Sequence, residues 1–187
     1  MGELQPEKET APVLLENISR INQAERVEFY RCIWGKWIQK YYILAVFFLL
    51  LSVGTLLLSV NMTLLQLEVT VFVMILGNAL RYHMILPISH AKRECRQRQY
   101  LYGTVGQVRY RFSADWIETY DENGCGRERY RVEDVQAIQE SAHLILIGLP
   151  GNSWMTLEKS NFTLGTQDAL WDYLHTYCPQ AEWLNRR

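Results

Sequence analysis

Residues 41 to 60 read YYILAVFFLLLSVGTLLLSV, with no charged side chain. A helix of about 20 such residues rises ~30 Å, the thickness of a bilayer hydrocarbon core. Core helices of soluble domains are usually shorter and keep a polar face. The stretch therefore reads as a membrane span. A short break at Asn61-Met62-Thr63 leads into a second apolar run, Leu64 to Leu80, LLQLEVTVFVMILGNAL. Gln66, Glu68 and Asn78 interrupt this run. Gln66 and Glu68 lie beside the loop, where the polar interface can hold them, and Asn78 lies near the other end. The second span can extend to Ile85 if it tilts, with Arg81 reaching back to the headgroups. Pro87 is expected to end it. An acid within a span often marks an ion or proton path. Glu68 has no charged partner in the hairpin sequence, so it reads as an interfacial acid. Ser52, Gly54, Ser59 and Gly77 are small enough to let the two helices approach.

Charge orients the hairpin. Arg31, Lys36 and Lys40 precede the first span, and Arg81, Lys92, Arg93, Arg96 and Arg98 follow the second. The loop between them holds no basic residue, so the positive-inside rule places both termini in the cytoplasm. Trp34, Trp37, Tyr41 and Tyr42 form an aromatic belt on that side. A polar segment precedes the first apolar run, which is unlike a signal peptide.

The 187 residues carry 19 Lys and Arg against 20 Asp and Glu, a net charge of −1. That balance argues against a nucleic-acid partner, whose backbone demands a basic footprint. An apolar content of 49% and a charged content of 21% exclude a disordered or collagenous chain.

The spacing divides the chain into a cytoplasmic arm over 1–40, a transmembrane hairpin over 41–88 and a cytoplasmic domain over 89–187. In the arm, Val13 to Ile18 reads as a short strand. Asn22 and Glu25 have capping-box spacing for a helix from Gln23 to about Gln39. Val27, Tyr30, Trp34, Trp37 and Ile38 give that helix an apolar stripe, suited either to the headgroup region or to the C-terminal domain.

Beyond Gln99 the pattern alternates. Gln107 to Phe112, Asp115 to Tyr120 and Cys125 to Tyr130 read as strands, with a turn at Asp121 to Gly124. Val135 to Glu140, His143 to Leu149 and Ser153 to Leu157 follow, the last two joined at Pro150-Gly151-Asn152. So many strands in so short a segment predict an antiparallel meander without parallel crossovers. A helix over about Thr166 to Tyr177, closed by Pro179, can cover the open end of a small curved sheet.

These segments resemble the YcxB-like family of bacterial membrane proteins. Tyr110 to Ile117, Val132 to Ile138, Leu144 to Ile147, Leu157 to Phe162 and Asp168 to Leu174 carry the resemblance. Val132 stands where that family often has Trp, and Glu158 where it often has Pro. The resemblance implies an α+β membrane protein: a two-helix transmembrane hairpin plus a small antiparallel pleckstrin-homology-like (PH-like) β-barrel closed by a C-terminal helix. It also implies a bacterial inner membrane, and it supplies no catalytic residue.

Motifs for chemistry are missing from the sequence. Cys32, Cys95, Cys125 and Cys178 are scattered, without zinc or disulfide spacing. Free thiols fit a cytoplasmic location. His83, His90, His143 and His175 lack zincin spacing, and there is no P-loop, dinucleotide fingerprint or nucleophile elbow. No catalytic residue, metal or cofactor is expected. Lys92, Arg93, Arg96 and Arg98 set topology, and such a cluster can also hold anionic lipid headgroups. Arg109, Arg111, Arg127, Arg129 and Arg131 alternate along the strands and are expected to share a solvent face, paired with Glu118, Asp121, Glu122 and Glu128.

The expected function is non-enzymatic. An inner-membrane protein would present an interaction module at the cytoplasmic face to a protein partner or anionic lipid. An alternative is an immunity or resistance protein against a membrane-acting toxin, suggested by Gln66, Glu68 and Asn78. A third reading is an oligomeric channel or transport subunit lined by Glu68 and Asn78.

Overall fold

The computed structural model describes residues 12–20, 22–58, 62–102, 106–121 and 127–184. Backbone contacts divide the chain into two units, one over Gln23–Gln97 and the other formed by Met1–Asn22 with Arg98–Arg187.

The first unit is helical. Helix α1 spans Gln23–Leu57 and helix α2 spans Met62–Leu80. A π-helical turn over Arg81–Ile85 leads into α3, Leu86–Tyr102. Pro87 therefore does not end the second helix, as the sequence suggested. Proline lacks an N–H, and its ring crowds the carbonyl four residues back. Here the wider turn lies immediately before it, with the Leu86 N–H donating to the Arg81 carbonyl, and the helix absorbs the proline and continues.

Both helices are long and apolar enough to cross a membrane, and only 11% and 6% of their most apolar windows are buried. A soluble core helix of this length would be mostly covered, so these two support a membrane location. Ile43, Leu50, Leu57 and Met74 are among the outward-facing apolar side chains.

The helices meet through small residues. Ile38, Ala45 and Ser52 recur every seven residues as the buried line of α1, and Ala79 and Ala91 are fully buried opposite. A seven-residue repeat keeps one seam facing the partner helix, and alanines allow close approach. Of the expected small residues Ser52 takes part. Added methyl groups at Gly54 and Gly77 would meet nothing within 4 Å, so neither is at the contact. Ser59 lies outside the described residues.

The second unit holds two sheets. One has the order β4-β3-β2-β1-β8 and the other β7-β6-β5-β9. Its strands are β1 (Leu15–Arg20), β2 (Gln107–Phe112), β3 (Trp116–Asp121), β4 (Arg127–Arg131), β5 (Ala137–Glu140), β6 (Leu144–Leu149), β7 (Ser153–Glu158), β8 (Phe162–Leu164) and β9 (Glu182–Leu184). Helix α4, Gln167–Tyr177, is capped by the Thr166 side chain, which accepts from the Ala169 N–H. It sends Leu170, Tyr173 and Leu174 into a core shared with Leu15, Phe112, Ile117, Ile145, Ile147 and Leu157. β6 is a continuous apolar run because all six of its residues are buried.

The antiparallel meander is corrected in two places. β9 follows α4 and pairs in parallel with β5, Ala137 opposite Glu182. β8 joins β1, with Asn17 opposite Phe162. The expected Pro150-Gly151-Asn152 turn fares better: the β6–β7 connection uses Gly151 and Asn152 at positive φ, the residues that tolerate that region.

No closed barrel forms among the described residues. β1 approaches β7 through side chains rather than a backbone ladder. Asn17 Nδ2 donates to the Glu158 carbonyl at 2.8 Å, Ser19 Oγ donates to Asn17 Oδ1 at 2.7 Å, and the Glu158 N–H donates to Ser19 Oγ at 2.9 Å. Asn17 is fully buried. Asn17→Ala should lower stability by about 1–3 kcal/mol, since it strands a buried carbonyl and a hydroxyl. Denaturant unfolding checks this, and an unchanged midpoint would show that water replaces the amide.

Candidate functional site

The strand register sorts the five-stranded sheet into two faces. Leu15, Asn17, Tyr110, Phe112 and Ile117 lie inward. Alternation then places Glu16, Arg109, Arg111, Trp116, Glu118, Tyr120, Arg129 and Arg131 on the opposite face. Arg111 is paired in register with Glu118, Glu118 with Arg129, and Trp116 with Arg131.

On this face the acids are low and the arginines high. The Glu118 side chain is 8% exposed and that of Glu16 17%, whereas Arg129 is 38%, Arg109 46% and Arg131 60% exposed. Arg111 Nε donates to Glu16 at 2.7 Å, Arg109 Nε stands 3.8 Å from the same carboxylate, and Arg129 Nε lies 3.3 Å from Glu118. Aromatic rings support the guanidiniums from below. Arg129 and Arg131 stack over Trp116 at 4.3 and 5.4 Å, and Arg111 over Tyr120 at 5.2 Å. Tyr120 in turn donates to Glu118 at 2.6 Å.

Glu16 feels opposing influences. Burial raises its pKa, but hydrogen bonds from Arg111 and Thr163, with the charges of Arg111 and Arg109, hold it below the ordinary 4.5. A lowered carboxylate contributes stability that is complete above the unfolded value and lost as pH falls through the folded one. Acid unfolding should therefore show a component below about pH 4.5 that Glu16→Gln removes. Equal acid midpoints for the two proteins would contradict it.

A cleft of about 410 Å³ adjoins the face, lined by Ala114, Asp115, Trp116, Arg131, Val132, Glu133 and Tyr177. Trp116 and Arg131 belong to both. Arg131 also meets Glu133 at 2.7 Å.

The residues singled out in the sequence are placed as follows. Lys92, Arg93 and Arg96 are exposed on α3, within roughly 100° around the helix. Arg98 is half-buried and turned to another side. Trp34 packs against Tyr30, Tyr82 and His90, Tyr41 stacks on Tyr82, and Tyr42 meets His83 at 3.3 Å. Of the α1 stripe, Tyr30 and Trp34 thus face the π-turn and α3. Trp37 points outward, beside Lys40. Glu68 accepts from Thr55 of α1 at 3.1 Å, whereas Gln66 and Asn78 are exposed, so these three are not gathered into one site.

Among the described residues no three His, Cys, Asp or Glu side chains converge as a metal site would require. Cys32, Cys95 and Cys178 form no disulfide, and burial pushes the Cys178 thiol up to about 12. Cys125 and Glu122, with the turn Asn123-Gly124, lie outside the described residues.

Glu16 was missing from the expected ion-pair set because it lies 95 residues from Arg111. Glu128, expected to pair with the arginines, lies on the other side of the sheet and accepts from Tyr130. No family model, curated protein or solved structure matches the chain.

Proposed function

We propose that this chain is a non-enzymatic inner-membrane protein of YcxB-like kinship. Its helix pair anchors it with both termini in the cytoplasm, and its sheet unit acts as an interaction module for a protein partner or anionic lipid. The observation that carries this reading is the pair of long helices whose apolar side chains face outward, 11% and 6% buried in their windows. Water would oppose so large an uncovered apolar surface, and a bilayer relieves the cost. The basic residues Lys92, Arg93 and Arg96 flank one end, as a cytoplasmic boundary requires. The sheet unit takes the PH-like role in an open form, with two sheets and α4 over the core.

Below the apolar stretch α1 continues from Lys40 back to Gln23, roughly 27 Å at 1.5 Å per residue. Tyr30 and Arg26 bond Glu94 in this polar part, which keeps the helices paired beyond the span.

Alkaline extraction of membranes from expressing cells tests the anchor. The protein should stay in the pellet, and reporters fused at either terminus should be active only in the cytoplasm. Release into the supernatant, or a reporter active outside, would sink the reading.

A further inference from the structure

We infer that the outward face of the β4-β3-β2-β1-β8 sheet docks an extended acidic peptide segment, whose carboxylates meet Arg109, Arg111, Arg129 and Arg131 and whose one large apolar side chain enters the cleft beside Trp116. This rests on reading the sheet unit as an interaction module.

Charge complementarity is the first argument. By register Arg20 and Arg127 also lie on this face, beside Arg109, Arg111, Arg129 and Arg131, while its acids are Glu16 and Glu118, with Glu133 at the cleft end. Glu16 and Glu118 lie low beneath the guanidiniums and Glu133 is exposed beside Arg131, so arginines outnumber acids in the exposed layer.

Donor geometry is the second. Arg109 and Arg129 meet their carboxylates through Nε. The terminal amino groups of a guanidinium can grip a planar oxyanion bidentately. The rings of Trp116 and Tyr120 contact the Arg129, Arg131 and Arg111 guanidiniums, which restrains them and reduces the ordering cost on binding.

Spacing and shape select the occupant. Arg109 and Arg111 lie two apart on β2, and Arg129 and Arg131 two apart on β4. Each pair is separated by about 7 Å, the repeat of alternate side chains on an extended chain. Lipid headgroups in a fluid leaflet have no such fixed repeat, and a flat leaflet leaves the cleft unfilled. The cleft, walled by Trp116, Val132 and Tyr177, has the size of a small-ligand pocket. An apolar side chain anchored there would set the register of the acidic chain over the arginines.

The test uses the full chain in neutral phosphatidylcholine nanodiscs and a fluorescent peptide of alternating Glu and Thr ending in Phe, read by anisotropy. The peptide should bind. Binding should weaken at least tenfold in Arg129→Glu/Arg131→Glu and severalfold in Trp116→Ala, and it should fall steeply with salt. A Lys-for-Glu peptide should not bind. Arg109→Gln gives a second readout at a separate exposed site, should the double variant misfold. Absence of peptide binding, or equal binding by the double variant, overturns the proposal. So does capture of phosphatidylglycerol vesicles in preference to the peptide, which would assign the face to lipid. Membrane extraction is scored separately, so failure of peptide binding leaves the anchor intact and failure of the anchor leaves the peptide result standing.

Discussion

Phe112→Ala is expected to destabilise the sheet unit by about 3–5 kcal/mol. Phe112 is fully buried at the end of β2, opposite Leu15 of β1. Its ring meets Tyr173 of α4 edge-on, with centroids 5.5 Å apart at 75°. Tyr173 is fixed by donating its hydroxyl to the Ser113 carbonyl at 2.7 Å, so α4 cannot settle freely into the space. The substitution therefore removes both the transfer energy of a large ring and the contacts of a wall that does not collapse. Thermal unfolding followed by near-ultraviolet circular dichroism should show a fall of more than about 10 °C. Phe112→Leu keeps most of the volume and should cost under about 1.5 kcal/mol. Similar midpoints for the alanine variant and the parent would mean that the ring is not what joins α4 to the sheet.

Leu50→Arg tests the other unit. Leu50 stands near the centre of the uncharged stretch and is 65% exposed. Water would welcome the guanidinium at such a position, and hydrocarbon would not. A central arginine costs about 3 kcal/mol on insertion scales, so the membrane-integrated fraction should drop sharply on alkaline extraction. Leu50→Ala, which adds no charge, should integrate almost as the parent does. Normal integration of the arginine variant would remove the ground for placing this surface in lipid.

How far the chain could be read depended on the range of the interaction. The uncharged run 41–60, the all-buried strand β6 and the stripe of Leu170, Tyr173 and Leu174 in α4 are local patterns, and each was legible. β8 and β9, at three residues each, are too short for a period to show, and only pairing with β1 and β5 makes them strands. The bypass of Pro87 depends on a turn that widens before the proline, and no residue type signals it. The candidate face was half legible. The alternating arginines were plain, and Glu118 was named as a neighbour. Its companion Glu16 enters through β1, which the register lays beside β2. The stacked rings of Trp116 and Tyr120 likewise emerge only once β3 is seated between β2 and β4. Nothing in one dimension says which acid will lie beneath which arginine.

The position of β1 bears on how the protein is made. Its neighbour β2 begins at Gln107, so β1 waits for the whole helix pair before its ladder with β2 can form. A loose loop of that length would cost roughly 4 kcal/mol to close by the logarithmic scaling. The helix pair removes much of that cost, because Arg26 and Tyr30 near its start bond Glu94 near its end. Completion of the sheet is therefore coupled to correct pairing of the helices. A nascent chain whose hairpin fails leaves β1 unpaired with β2 and the sheet incomplete, and both are marks by which proteases recognise and clear a misfolded chain.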